Sequence, residues 1–246
     1  MRKTAVRLGT GRLGKVRLGR AVRASVVVAG AGLLVTGCAV TPLKMGAAAV
    51  VGNQRISIAT LDSEVTKLSE AARQYPGVVN LSSTEETQET LSWLVKFQVA
   101  DELARQQGFS VSTAQSQAAL ASAYASAKSE AQEEGLSSVS LAEILALSGI
   151  APNLSQQLGR YEAIQDEFVS RADGGKLPTA TSAQTALSAK LTKATCTAAK
   201  ALDIQVNPQF GRLSYSEIQV VDAPSTVTRT SGPAATPTSS ATLSAC

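Results

Sequence analysis

The sequence predicts a mainly α-helical protein with a short strand near each end of its folded part. Four capping boxes, in which Ser or Asn is followed three residues later by Glu or Gln, each lead into an apolar-periodic segment that ends at glycine. Two β-branched runs flank this helical region. Each lone strand needs a partner, because unpaired short strands are not stable on their own.

Residues 1–37 have the composition of a secretory signal peptide. Eight Lys or Arg and no acidic residue occur from Met1 to Arg23, and the apolar run Ala24 to Val35 follows. That run is shorter than the roughly 18–20 residues that span a bilayer. The basic segment is long for a signal peptide, and a translation start downstream of Met1 is therefore an alternative.

The end of the apolar run, "VTGC", resembles a bacterial lipobox. The resemblance implies that the thiol of Cys38 carries diacylglycerol, that the chain is cut before Cys38, and that the protein is anchored on the outer face of the cell membrane. Val35 stands where leucine is usual in that motif. The alternative is an ordinary signal peptide with a chance cysteine.

A glycine motif in the same segment does not predict nucleotide binding. "GTGRLGK", Gly9 to Lys15, fits G-x-G-x-x-G and most of a P-loop. No apolar strand precedes it, and Val16 stands where a P-loop needs Ser or Thr for magnesium. We therefore expect neither a nucleotide nor another cofactor.

Charge and composition exclude several classes of function. Of 23 Lys and Arg, eight precede Cys38, which leaves 15 against 19 acidic residues and a mature net charge of −4. This charge argues against nucleic-acid binding. The sequence has no histidine, which excludes Ser-His-Asp and Cys-His catalysis and zinc sites with His ligands. We expect no metal site and no enzyme.

The elements follow in order along 47–221. Residues 47–58 form a β-branched run broken by Gly52-Asn53, a strand or a tight hairpin. A turn at Asn207-Pro208 precedes a second strand near 213–221. The predicted helices between them are 61–74, 83–107 (box Ser83 and Glu86), 112 to Gly135 (Ser112 and Gln115), 140 to Gly149 (Ser140 and Glu143), 153 to Gly174 (Asn153 and Gln156), and 182–202.

Composition sets the domain boundaries. The lipobox resemblance implies a lipidated cysteine followed by a linker over 38–46, and 47–221 are predicted to be the folded domain. The tail 222–246 is rich in Ser, Thr and Pro, with few large apolar residues, and is predicted to be disordered.

Two pairs of residues are candidates outside the lipobox. Trp93 and Phe97 form a stripe beside the main apolar face of the second helix. They either face a cradle that binds client polypeptides or belong to the core. Cys196 and Cys246 would meet oxidising conditions outside the cell, where they either form a disulfide or remain free thiols.

Three stretches resemble the N-terminal region of SurA-like and trigger-factor-related extracytoplasmic chaperones. They are "VVGNQRISIATLDSEV", "LVKFQVADELARQQGFSVSTAQSQAAL" and "VNPQFGRLSYSEIQVV". Gln209 and Phe210 depart from the family's usual Asn-Pro-Arg-Tyr-Gly. The resemblance implies a multi-helix SurA N-terminal-like domain over 47–221 in which the first strand pairs with the last. Many relatives carry a parvulin prolyl isomerase domain of roughly ninety residues, for which 174–201 has no room.

The resemblance and the composition together imply a membrane-anchored chaperone-like lipoprotein. It would bind unfolded or exported polypeptides through apolar contacts and would lack prolyl isomerase activity. A structural or adaptor lipoprotein with one fixed partner in the envelope is the alternative.

Overall fold

In a computed structural model of the protein, the described residues are 45–75, 82–133, 135, 139–174 and 181–223. They form a mainly helical fold with short antiparallel strands, as the sequence predicts. The predicted signal peptide, Cys38, most of the linker and the tail from residue 224 lie outside the described residues. The elements are β1 (Ala47–Val51), β2 (Gln54–Ser57), α1 (Ile58–Gln74), α2 (Ser83–Gln106), α3 (Thr113–Glu133), α4 (Leu141–Leu147), a 3₁₀ turn (Pro152–Leu154), α5 (Ser155–Ala172), α6 (Thr181–Ala201), β3 (Gln205–Val206), β4 (Arg212–Ser214) and β5 (Gln219–Val221).

The first β-branched run forms an antiparallel hairpin of β1 and β2. Gly52 in the turn has φ +57°, a backbone conformation that glycine adopts without steric cost. Ser57 then caps α1, because its Oγ accepts a hydrogen bond from the Thr60 N–H at 2.9 Å. This cap starts α1 at Ile58, three residues before the predicted start.

The two ends of the domain meet in one sheet with strand order β2-β1-β3. β3 pairs antiparallel with β1, with Val206 opposite Ala49. The side chain of Asn207 extends this pairing, since its Nδ2 donates to the Ala47 carbonyl at 3.1 Å. A strand from each end of the domain therefore pairs, but β3 is not the last strand, so the pairing of the first strand with the last that the chaperone resemblance implies is not observed.

The prediction that residues 213–221 form the strand that pairs with the first strand is wrong. Residues 213–221 do not reach β1 but form their own antiparallel hairpin of β4 and β5. The chain reverses after Asn207-Pro208 and again between Tyr215 and Ile218, where Ile218 has φ +49°. These turns break one expected strand into two short ones, and the strand that pairs with β1 lies before Pro208.

Two predicted capping boxes are confirmed. At α4, Ser140 Oγ accepts from the Glu143 N–H at 3.1 Å, and the Glu143 carboxylate accepts from the Ser140 N–H. Before α3, the Ser112 N–H donates to Gln115 Oε1 at 2.8 Å and the Gln115 N–H donates to Ser112 Oγ at 3.2 Å. Both boxes satisfy N–H groups that the first helical turn leaves unpaired.

The other two boxes differ from the prediction. α2 begins at Ser83, where the predicted helix begins, but Ser82 and Glu85 form its capping box in place of Ser83 and Glu86. Asn153 does not cap α5, whose preceding residues form a 3₁₀ turn.

Asn153 instead joins the start of α5 to α1. Its Nδ2 donates to Glu64 Oε2 at 2.8 Å, while Lys67 Nζ donates to Glu64 Oε1 at 2.7 Å. Glu64 is buried, and an unpartnered carboxylate there would be costly. The Asn153 side chain therefore stabilises the fold more by pairing with the buried Glu64 carboxylate than it would by capping α5.

α2 is the central helix of the core. One face packs against α1, and other faces pack against α5, α6 and β5. α3 lies along α5, where Gly159 allows a close approach: a Cβ at this position would be 2.5 Å from the Ser116 carbonyl oxygen. The largest fully buried apolar residues are Leu61, Leu68, Leu91, Leu103, Leu145, Ile150, Ile164, Val51, Val95 and Val99.

Candidate functional site

A cleft of about 350 Å³ opens between α2, α5, α6 and the turn that joins β4 to β5. Four segments that are distant in sequence build its walls, so the cleft exists only in the folded domain. It is lined by Lys96, Val99, Tyr161, Gln165, Leu191, Thr192, Thr195, Cys196, Tyr215, Ser216, Glu217 and Ile218.

Side chains of α2 hold the β4–β5 hairpin in place at the edge of the cleft. The Val220 N–H donates to Ser92 Oγ at 2.8 Å, and Ser92 Oγ donates to the Gln88 carbonyl at 2.6 Å. Gln88 Nε2 also donates to Asp222 Oδ1 at 2.8 Å. Because Ser92 and Val220 are buried, these bonds fix the hairpin firmly against the helix.

The predicted client-binding aromatic residues are not among the residues that line the cleft, but both pack against Tyr161, which is. Trp93, Phe97 and Tyr161 form a cluster with ring centroids 5.7–6.1 Å apart. Phe97 is 8% exposed, and Trp93 is half-buried, with its Nε1 donating to the Ser148 carbonyl at 3.0 Å. The placement therefore favours the alternative in which both side chains belong to the core.

Lys96 connects this aromatic cluster to the cleft. Its Nζ lies 4.4 Å from the centroid of the Trp93 ring, a cation–π contact. Burial lowers the pKa of Lys96, and the carboxylates of Glu89 and Glu217 oppose that shift. The cleft thus contains a partly desolvated ammonium group with an acidic residue, Glu217, on the facing hairpin.

Tyr161 and Glu162 on α5 also have shifted proton equilibria. Burial, followed by the charge of Glu162, raises the pKa of Tyr161 to about 12. Burial, followed by the charge of Asp166, raises the pKa of Glu162 to about 7. Tyr161 therefore remains a neutral hydroxyl that can donate or accept a hydrogen bond at the cleft wall.

The lining of the cleft combines apolar side chains with uncharged hydrogen-bonding side chains. Gln165, Thr192, Thr195 and Ser216 bring uncharged donors and acceptors beside apolar walls. Within the described ranges, no group of three His, Cys, Asp or Glu side chains could hold a metal ion. Sequence reasoning missed these lining residues, because none of them carries a motif.

Cys196 is the one predicted candidate that lines the cleft. Its side chain is 2% exposed and its sulfur is disulfide-bonded. The other two cysteines of the sequence, Cys38 and Cys246, lie outside the described residues. Pairing of Cys196 with Cys246 therefore stays a prediction, as does lipidation of Cys38.

Comparisons with protein-family models, curated proteins and solved structures find no match for this chain. Among the described helices, none combines the length and apolar character needed to cross a bilayer.

Proposed function

We propose that the protein is a membrane-anchored extracytoplasmic lipoprotein that holds unfolded or exported polypeptide segments in this cleft, in the manner of a chaperone and without prolyl isomerase activity. The observation that carries the proposal is the combination of apolar walls and uncharged hydrogen-bonding side chains in one cleft. The lipobox at Cys38 and the resemblance to SurA-like chaperones supply the anchor and the class of ligand.

An extended polypeptide offers two features that such a cleft can bind. Its side chains can contact the partly exposed Leu191, Tyr161 and Tyr215, and its backbone amides can pair with hydroxyl and amide side chains. A volume of about 350 Å³ holds a few residues only. Binding would be weak and tolerant of sequence, which suits transient protection of exported chains.

The rest of the cleft fits binding without turnover. Tyr161 has a raised pKa and stays protonated near neutral pH, so it is a poor general base. Cys196 is disulfide-bonded and offers no thiolate nucleophile in that state.

One observation favours an adaptor with a single fixed partner. In the part of the chain that the structure describes, Met45 is the exposed large hydrophobic residue, at 95% exposure. A general chaperone usually presents a broader apolar surface. A small, well-defined cleft can instead select one partner segment.

A test of client range separates the two functions. The purified protein is added at equal stoichiometry to three unrelated aggregating proteins, and light scattering is followed. The chaperone proposal predicts slower aggregation of all three, whereas an adaptor slows none and retains one envelope protein in a pull-down. Turnover of a proline peptide by the purified protein would contradict the absence of isomerase activity.

A further inference from the structure

We propose that the segment 224–246 is tethered at the cleft by a disulfide between Cys196 and Cys246 and occupies the cleft in place of a client until the disulfide is reduced. This inference rests on the proposed function, because it names the regulation of the same site. It starts from two facts: Cys196 lines the cleft, and Cys196 is disulfide-bonded.

The chemistry of the other cysteines selects the partner. Cys38 and Cys246 are the remaining cysteines of the sequence. A lipobox cysteine carries its lipid through a thioether, so the sulfur of Cys38 has no thiol left for a disulfide. In the anchored protein, Cys246 is then the partner of Cys196.

The length of the connecting chain permits this bond. Ala223 is the last described residue after β5, and Cys246 follows 23 positions later. Such a segment can extend to roughly 75 Å, whereas a domain of this size is about 40 Å across. The segment can therefore reach Cys196 without disturbing the hairpin.

The residues next to Cys246 have the character of a client segment. Leu243 stands among small residues in "SSATLSAC", and no charged residue lies between Arg229 and Cys246. A disulfide holds this sequence at the cleft at an effective concentration of about 1 mM. Weak intrinsic binding is then enough to keep the cleft occupied.

Reduction would open the cleft. A dithiol reductant supplies two electrons and two protons, the S–S bond breaks, Cys196 and Cys246 become thiols, and the dithiol becomes a cyclic disulfide. The released segment then competes with clients at a much lower effective concentration. We expect client binding to tighten about three- to tenfold on release.

The pairing is tested first, by proteolysis of the non-reduced protein purified from membranes in detergent, followed by mass spectrometry. The expected product is a peptide pair that contains Cys196 and Cys246. A pair that contains Cys38, or an unmodified Cys246 thiol, would overturn the inference.

Occupancy is tested without any client, by acetylation of lysines. Lys96 lines the cleft, whereas Lys190 is exposed elsewhere on α6 and serves as the internal control. In Cys246→Ser, we expect Lys96 to react about three- to tenfold faster relative to Lys190 than in the oxidised wild type. Ser244→Ala, which keeps the disulfide, should match the wild type. An equal Lys96 rate in all three proteins would refute occupancy of the cleft.

Client binding is measured with fluorescent carboxymethylated lactalbumin, which has no free thiol. Reduced wild type and Cys246→Ser should bind about three- to tenfold more tightly than oxidised wild type, and reductant should not affect Cys246→Ser. Equal, measurable affinities would overturn the regulation and leave the proposed function intact. Faster acetylation of Lys96 in Cys246→Ser, without binding of lactalbumin by any form, would refute the proposed function and retain the tether.

Discussion

Replacement of Gly159 by alanine tests the close packing of α3 against α5. Gly159 is buried inside α5, and an added Cβ would lie 2.5 Å from the Ser116 carbonyl oxygen and 3.0 Å from Leu120 Cβ. The first contact is with backbone, which cannot rotate away as a side chain can. The two helices would have to separate by several tenths of an ångström along their shared length.

Two opposing terms decide the sign of the effect. Alanine favours a helix interior over glycine by about 1 kcal/mol. Overpacking of a tight contact typically costs about 1–3 kcal/mol. We expect the packing term to exceed the propensity term, so Gly159→Ala should lower the free energy of unfolding by about 1 kcal/mol and Tm by roughly 2–4 °C.

Urea unfolding followed by circular dichroism measures this change. Gln157→Ala, at an exposed position of the same helix, is the matched control and should alter stability by less than about 0.5 kcal/mol. An increase of about 1 kcal/mol in Gly159→Ala would show that propensity dominates. The close α3–α5 contact would then be refuted.

Three further predictions concern the anchor, the acidic pair and the aromatic cluster. Cys38→Ala should release the protein from the membrane fraction, because two acyl chains give stable anchoring; retention after a high-salt wash would contradict this. Glu162 has a pKa of about 7, above its ordinary value of 4.5, so its contribution to stability is full below pH 4.5 and is lost as pH rises through 7. Glu162→Gln should therefore be more stable than wild type at pH 8 by on the order of 2 kcal/mol in urea unfolding, and equal pH profiles would disprove the shift. Phe97→Ser should lower the free energy of unfolding by about 3–5 kcal/mol, as expected for a buried aromatic residue. An unchanged melting temperature with weaker client binding would instead show that Phe97 belongs to a binding surface.

Local sequence signals predicted the elements of this fold well. Ser112, Ser140 and their partners three residues later begin helices where expected, because a capping box depends on residues close in sequence. Asn153 failed as a cap because a buried carboxylate, Glu64, provides a stronger partner. No pattern local to residue 153 reveals that competition.

Long-range pairing and the cleft were harder to predict. That strands near the two ends pair was implied by the chaperone resemblance, but Gln205–Val206 pairs with β1 in place of 213–221. Two adjacent β-branched stretches offer similar strand signals, and the turn at Pro208 decides between them. The cleft joins Lys96, Tyr161 and Thr192 from three helices, and their sequence separation leaves no motif.

The most direct test of the central claim compares Thr192→Arg with Thr197→Arg. Both threonines are exposed on α6 and donate from Oγ1 to the carbonyl four residues earlier, at 2.9 Å, but only Thr192 is among the residues that line the cleft. Affinity for carboxymethylated lactalbumin is measured for both variants in the reduced state. If the cleft holds unfolded polypeptide, Thr192→Arg should weaken binding about tenfold, because the arginine side chain fills the cleft, while Thr197→Arg should match wild type. Equal affinity in the two variants would contradict the claim.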